Sequence, residues 1–177
     1  NSPSSYLKVV GASKDESTVS VLGDIVNNNA LANTGVEARH VTLAVSGKIE
    51  ANSVYARQES LITAGGDITA NAALVVTGGS TVQAGGDITA NRLDLGTSKT
   101  APGTGTIIAG GSFTLKCGGV SSVGGNGTII AETGNITIGT EENGFADITV
   151  ADGEDASLTL SAQNGTITAK DITATNV

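Results

Sequence analysis

Tryptophan and methionine are missing from this sequence, and phenylalanine and tyrosine occur only twice each. A globular core built on large aromatics is thereby excluded. The single cysteine, Cys117, permits no intrachain disulfide, so the chain is not a small domain stapled by bridges. No run of eighteen apolar residues occurs, and no segment reads as a membrane-spanning helix. Basic residues are scarce, 9 against 17 acidic, for a net charge of −8. Nucleic-acid binding depends on neutralising phosphates with Lys and Arg, so neither nucleic acid nor an anionic membrane surface is an expected partner. The chain opens on Asn1 with no basic segment leading into an apolar one, and it reads as a processed or excerpted piece of a longer precursor.

What is abundant is Val, Ile, Thr, Asn and 25 Gly. The first three favour strands, and Gly and Asn supply corners. The octapeptide AGGDITAN stands at 64–71 and again at 84–91, which suggests a stacked module. Aligning on the large apolar residue of each such element gives the series Ile25, Ile49, Ile68, Ile88, Phe113, Ile136 and Ile167. The intervals fit a base repeat near twenty residues with insertions. Other columns follow from that anchor. Six residues earlier stand Val19, Leu43, Ile62, Val82, Ile107 and Ile130, with Leu160 reached by one extra residue. Two residues later stand Ala51, Ala70, Ala90, Leu115, Ile138 and Ala169. Between them lie Glu50 and then Thr69, Thr89, Thr114, Thr137 and Thr168. This in–out–in alternation is the signature of a strand with one buried face.

A unit this short cannot bury its own apolar face, whereas stacked copies bury it together. The expected fold is all-β: a single-domain parallel β-solenoid of about seven rungs, three short strands per rung, and roughly 34 Å long at the usual strand spacing. Residues 1–18 are expected as an N-terminal segment or capping strand, and 19–177 as the solenoid. Surface loops are expected near 27–37, 96–106, 118–127 and 140–157, with an extra strand over Ile148–Ala151.

The Ala-Gly-Gly-Asp-Ile-Thr-Ala-Asn rungs, clearest over Val41–Leu95, resemble the repeats of filamentous-haemagglutinin-type secreted adhesins. The resemblance implies a right-handed parallel β-helix and an extracellular, non-enzymatic shaft at a cell surface. The secretion-domain motifs of that family's extreme N-terminus are not recognisable here.

The catalytic inventory is thin. His40 is the only histidine and reads as a solvated residue at the start of a strand, because no serine elbow accompanies it. Asp67 and Asp87 should stack one rung apart, near the separation of a retaining glycosidase pair. Asp is also a stock turn residue, and aromatics to stack on sugars are few, so turn chemistry is the preferred reading. A polysaccharide-acting β-helix enzyme is therefore a distant alternative, and no catalytic residue is assigned. Calcium motifs are absent. Asp152, Glu154 and Asp155 are weak metal candidates against a solvated acidic loop, and no cofactor is expected. The Thr column raises ice binding, but the next outward residues are Asn52, Asn71, Asn91, Lys116 and Lys170, so no second Thr column accompanies it. Cys117 reads as an idle thiol or, if exposed, a cross-link between neighbouring subunits. The expected function is a non-catalytic extracellular shaft or adhesin segment, meeting other protein subunits or a cell-surface receptor or glycan. The second reading is a structural subunit that polymerises through its solenoid ends into a filament or sheath.

Overall fold

The structure, a computed structural model, describes residues 6–27, 34–96, 103–117, 120–123, 126–140, 144–145, 148–151 and 157–174. It is all-β with no helix among these residues, and its parallel strands stack as a β-solenoid of about five turns. Among the described residues the strands form three sheets, or walls. The first is a seven-stranded sheet of Thr18–Val21, Thr42–Val45, Leu61–Ala64, Ser80–Ala84, Gly105–Ala109, Asn126–Ala131 and Ser157–Ala162. The second has ten strands. Its spine is Tyr6–Val10, Gly35–Arg39, Ile49–Arg57, Ile68–Val76, Ile88–Leu95, Phe113–Leu115 and Ile136–Thr140. Ile25–Val26 and Ile167–Thr168 extend it in parallel, and Gly144–Phe145 pairs with it antiparallel. The third wall is short: Val120–Val123, Ile148–Ala151 and Ile172–Ala174.

Apolar columns run through the turns. Ile25, Ile49, Ile68, Ile88, Phe113, Ile136 and Ile167 are successive partners across strands. The five from Ile49 to Ile136 are fully buried. Ala51, Ala70, Ala90, Leu115 and Ile138 form the column beside them. On the first wall the column is Val19, Leu43, Ile62, Val82, Ile107, Ile129 and Leu160. The expected Ile130 is thus replaced by Ile129, and Ile130 faces outward. Four residues, Glu132 to Asn135, separate Ala131 from Ile136, where three separate Ala109 from Phe113. Counting back six residues from Ile136 therefore stops one residue short of the core position.

The stretch expected as a loop over 27–37 ends in a strand from Gly35, because Val36 and Ala38 reach the core and are fully buried. Strands likewise occupy Val120–Val123 and Gly144–Phe145 within the other expected loops, whose remaining parts lie mostly outside the described residues, and the strand expected over Ile148–Ala151 is present. In the middle turns the second-wall strands are long, nine residues for Ile49–Arg57 and Ile68–Val76 and eight for Ile88–Leu95. Register shifts beyond Ala51 and Ala90 interrupt them, and such bulges bend a strand.

The corner between first and second walls carries a ladder in which a side chain of one turn accepts from the backbone of the next. Asp24 Oδ1 accepts from the Lys48 N–H at 2.8 Å, Asp67 Oδ1 from Asp87 at 2.8 Å, and Asp87 Oδ1 from Ser112 at 2.7 Å. Ser112 Oγ and Asn135 Oδ1 continue it to Asn135 and Thr166 at 3.1 and 2.9 Å. The glycine before each backbone donor of the ladder leaves room for this contact. A Cβ at Gly86 or Gly111 would collide with the carboxylate of Asp67 or Asp87 below it. Gly66 lies above Lys48 instead, and its nearest neighbour would stand 3.4 Å away.

Candidate functional site

The strands Tyr6–Val10, Gly35–Arg39 and Ile49–Arg57 run side by side, with Lys8, Glu37 and Tyr55 in one row and Val10, Arg39 and Arg57 in the next. Val36, Ala38, Val54 and Ala56 fill the core, so alternation sends Glu37, Arg39, Tyr55 and Arg57 to the outer face. There they form a cluster. Arg39 holds Glu37 Oε1 through Nη2 at 2.6 Å and Nε at 2.7 Å. Arg57 approaches the same oxygen at 3.5 Å, and Lys8 approaches Oε2 at 3.8 Å. The Glu37 side chain is only 9 % exposed, against 32 % and 36 % for the two arginines. Three cations surround one carboxylate, in a chain whose net charge is −8.

Both tyrosines of the chain join this patch. The Arg57 guanidinium carbon sits 4.6 Å from the Tyr55 ring centroid, a cation–π contact. The Tyr6 ring lies 5.9 Å from that of Tyr55. Burial, and then a hydrogen bond with Tyr55, push the Tyr6 phenol well above the ordinary tyrosine range. Just past the arginines the chain turns through left-handed backbone at His40, Gln58 and Glu59, with φ of 49°, 57° and 57°. Gly78 and Gly79 occupy the same corner one turn on. Left-handed angles cost little for Gly and more for other residues, so strain is stored beside the patch. Guanidinium donors left over by Glu37, next to phenol rings, suit an anionic group carried on a sugar or a peptide.

A second outer surface is of opposite character. On the first wall Thr18, Thr42, Leu61, Thr81, Thr106, Thr128 and Thr159 are successive partners. Two residues along each strand, a parallel column runs from Ser20 through Thr63 and Ile108 to Ser161. None of these fourteen outward positions is charged or aromatic.

The residues singled out from sequence are scattered. Asp67 and Asp87 lie in the corner ladder, each with one carboxylate oxygen engaged by backbone N–H. His40 occupies the strained corner beside Arg39. Cys117 is a half-buried free thiol whose N–H donates to Asn91 O at 2.9 Å. Asp152, Glu154 and Asp155 lie outside the described residues. No group of three His, Cys, Asp or Glu suited to a metal occurs among the described residues. The Glu37 cluster was not anticipated, although Val-x-Ala-Arg at 36–39 and again at 54–57 marks it. No protein-family model, curated protein or solved structure matches the chain.

Proposed function

We propose that the chain is a non-catalytic extracellular β-solenoid, a stiff shaft or adhesin segment at a cell surface, with the Lys8–Arg39–Arg57 patch as its contact for an acidic glycan or receptor. The observation that carries this reading is the unbroken run of apolar columns through successive turns. A core shared by neighbouring turns resists bending, because every bend must open contacts in a close-packed interior. The seven-membered columns support a count of seven rungs, and the bulges in the long strands support three faces per rung, as in the filamentous-haemagglutinin-type repeats that the sequence resembles. The test is adhesion of the purified chain to cells and to immobilised acidic glycans. The Arg39→Gln, Arg57→Gln variant should lose attachment while keeping its strand circular dichroism. Undiminished adhesion of that variant would remove the patch from the proposal.

A second reading, a subunit that polymerises end to end into a filament or sheath, is favoured by one observation. The outermost strands at the N-terminal end leave Val10, Val19 and Val26 at 60, 40 and 48 % exposure, and Leu22 in the adjoining corner at 95 %. Beside them lies an open groove of about 360 Å³ lined by Tyr6, Leu7, Ile25 and Val26 among others. Strand edges of this kind accept further strands. Electron microscopy separates the readings: short monodisperse rods favour the shaft, long fibres the subunit. A polysaccharide-acting enzyme ranks third, since the Asp67 and Asp87 carboxylates already serve the backbone.

A further inference from the structure

We infer that the outer face of the seven-stranded wall is an ice-binding surface. Four observations converge on it. The face is built from parallel strands, so its side chains repeat at the strand spacing of about 4.8 Å in one direction and at two residues, about 6.6 Å, in the other. Six of the seven positions in one column are Thr: Thr18, Thr42, Thr81, Thr106, Thr128 and Thr159. Thr42 Oγ1 donates to Lys14 O, and among the described residues no such bond is formed by the hydroxyls of Thr81, Thr106, Thr128 or Thr159. Finally, all fourteen outward positions are uncharged, in a chain with 26 charged residues.

The last point decides between partners. Surfaces that need only solubility mix charges of both signs. Lys and Glu carry tightly held, disordered hydration and long mobile side chains, both of which oppose adsorption to a crystal of water. Thr has one stiff rotatable bond, a hydroxyl that joins a water lattice and a methyl that sits in its gaps. A β-branched ladder on a parallel sheet therefore holds its first waters at the regular strand spacing along the Thr column, with Ser20, Thr63 and Ser161 adding hydroxyls beside it. Leu61, Ile108 and Ile130 add apolar area without adding charge. A polyanion or an acidic receptor has nothing to grip here, and flat crystalline sugars are ordinarily met by aromatic rings, which this face lacks.

The experiment is ice-affinity partitioning of the full chain, with thermal hysteresis and the shape of growing ice crystals as readouts. Wild type should enrich in the ice fraction and shape the crystals. Thr106→Lys with Thr128→Lys should abolish both effects. Thr106→Val with Thr128→Val, which keeps the branched shape, should weaken them. Thr89→Lys with Thr114→Lys, on the second wall, should leave them unchanged. Circular dichroism checks that every variant folds. Exclusion of wild type from ice overturns the inference, as does equal loss from both walls. Retention of crystalline cellulose or chitin without ice enrichment, or self-association that the first-wall lysines abolish, would reassign the face and also overturn it.

Discussion

At the scale of single residues, the corner glycines give the sharpest contrast. Gly86 and Gly111 lie against carboxylates, while Gly66 lies over Lys48 with room for a methyl group. Gly86→Ala and Gly111→Ala should each cost about 1–3 kcal/mol by overpacking. Gly66→Ala should be neutral or stabilising by up to about 1 kcal/mol, through lower entropy of the unfolded chain. Urea unfolding of the three variants checks the ranking. In the core, Ile88→Ala should cost about 2–5 kcal/mol, whereas Thr89→Ala next to it should stay within about 0.5 kcal/mol. The Tyr6 phenol makes a pH prediction. Its raised pKa means that the fold favours the protonated form, so its contribution is intact below the ordinary tyrosine value of about 10 and is lost as pH rises through the raised value. With Tyr6 40 % exposed the effect is screened. Absorbance titration should show a late-ionising phenol that Tyr6→Phe removes.

At the scale of elements, what repeats was legible and what pairs only once was not. The anchor column could be read because each Ile follows a Gly at a near-constant distance. Ile129 was misplaced because one corner gained a residue, and a period-two strand turns a slip of one into a change of face. The same slip displaces the end of the first-wall threonine column, whose members lie seven residues before the anchor in the early turns and eight in the last two. Glu37 escaped notice because, beyond Arg39 two residues away, its partners Lys8 and Arg57 come from other turns. Its strand is only five residues long and follows an Asn-rich stretch. The strained corner offers an element-scale test. Gln58→Gly and Glu59→Gly should each stabilise the fold by up to about 1 kcal/mol, relieving left-handed angles where the next turn already has Gly78 and Gly79. Thermal melts of the two variants measure it.

At the scale of the whole molecule, the chain's negative charge and its cationic patch act in opposite directions. Most of the surface repels an acidic glycan, while Lys8, Arg39 and Arg57 attract it locally. Binding through the patch should therefore weaken steeply with added salt, since exposed charges are screened beyond about 8 Å at physiological ionic strength. Adhesion measured across a salt series checks this, and a flat profile would point to apolar contact instead. The two candidate surfaces lie on different walls, so variants of one should leave the other's binding intact.

The corner ladder has one more consequence. Each acceptor belongs to an earlier turn and each donor to a later one, so every completed coil presents a ready mould for the twenty or so residues that follow. Growth needs no distant partner, only the piece just laid down. A chain emerging amino-end first would wind itself up stepwise, and each added coil would act as a ratchet against slipping back.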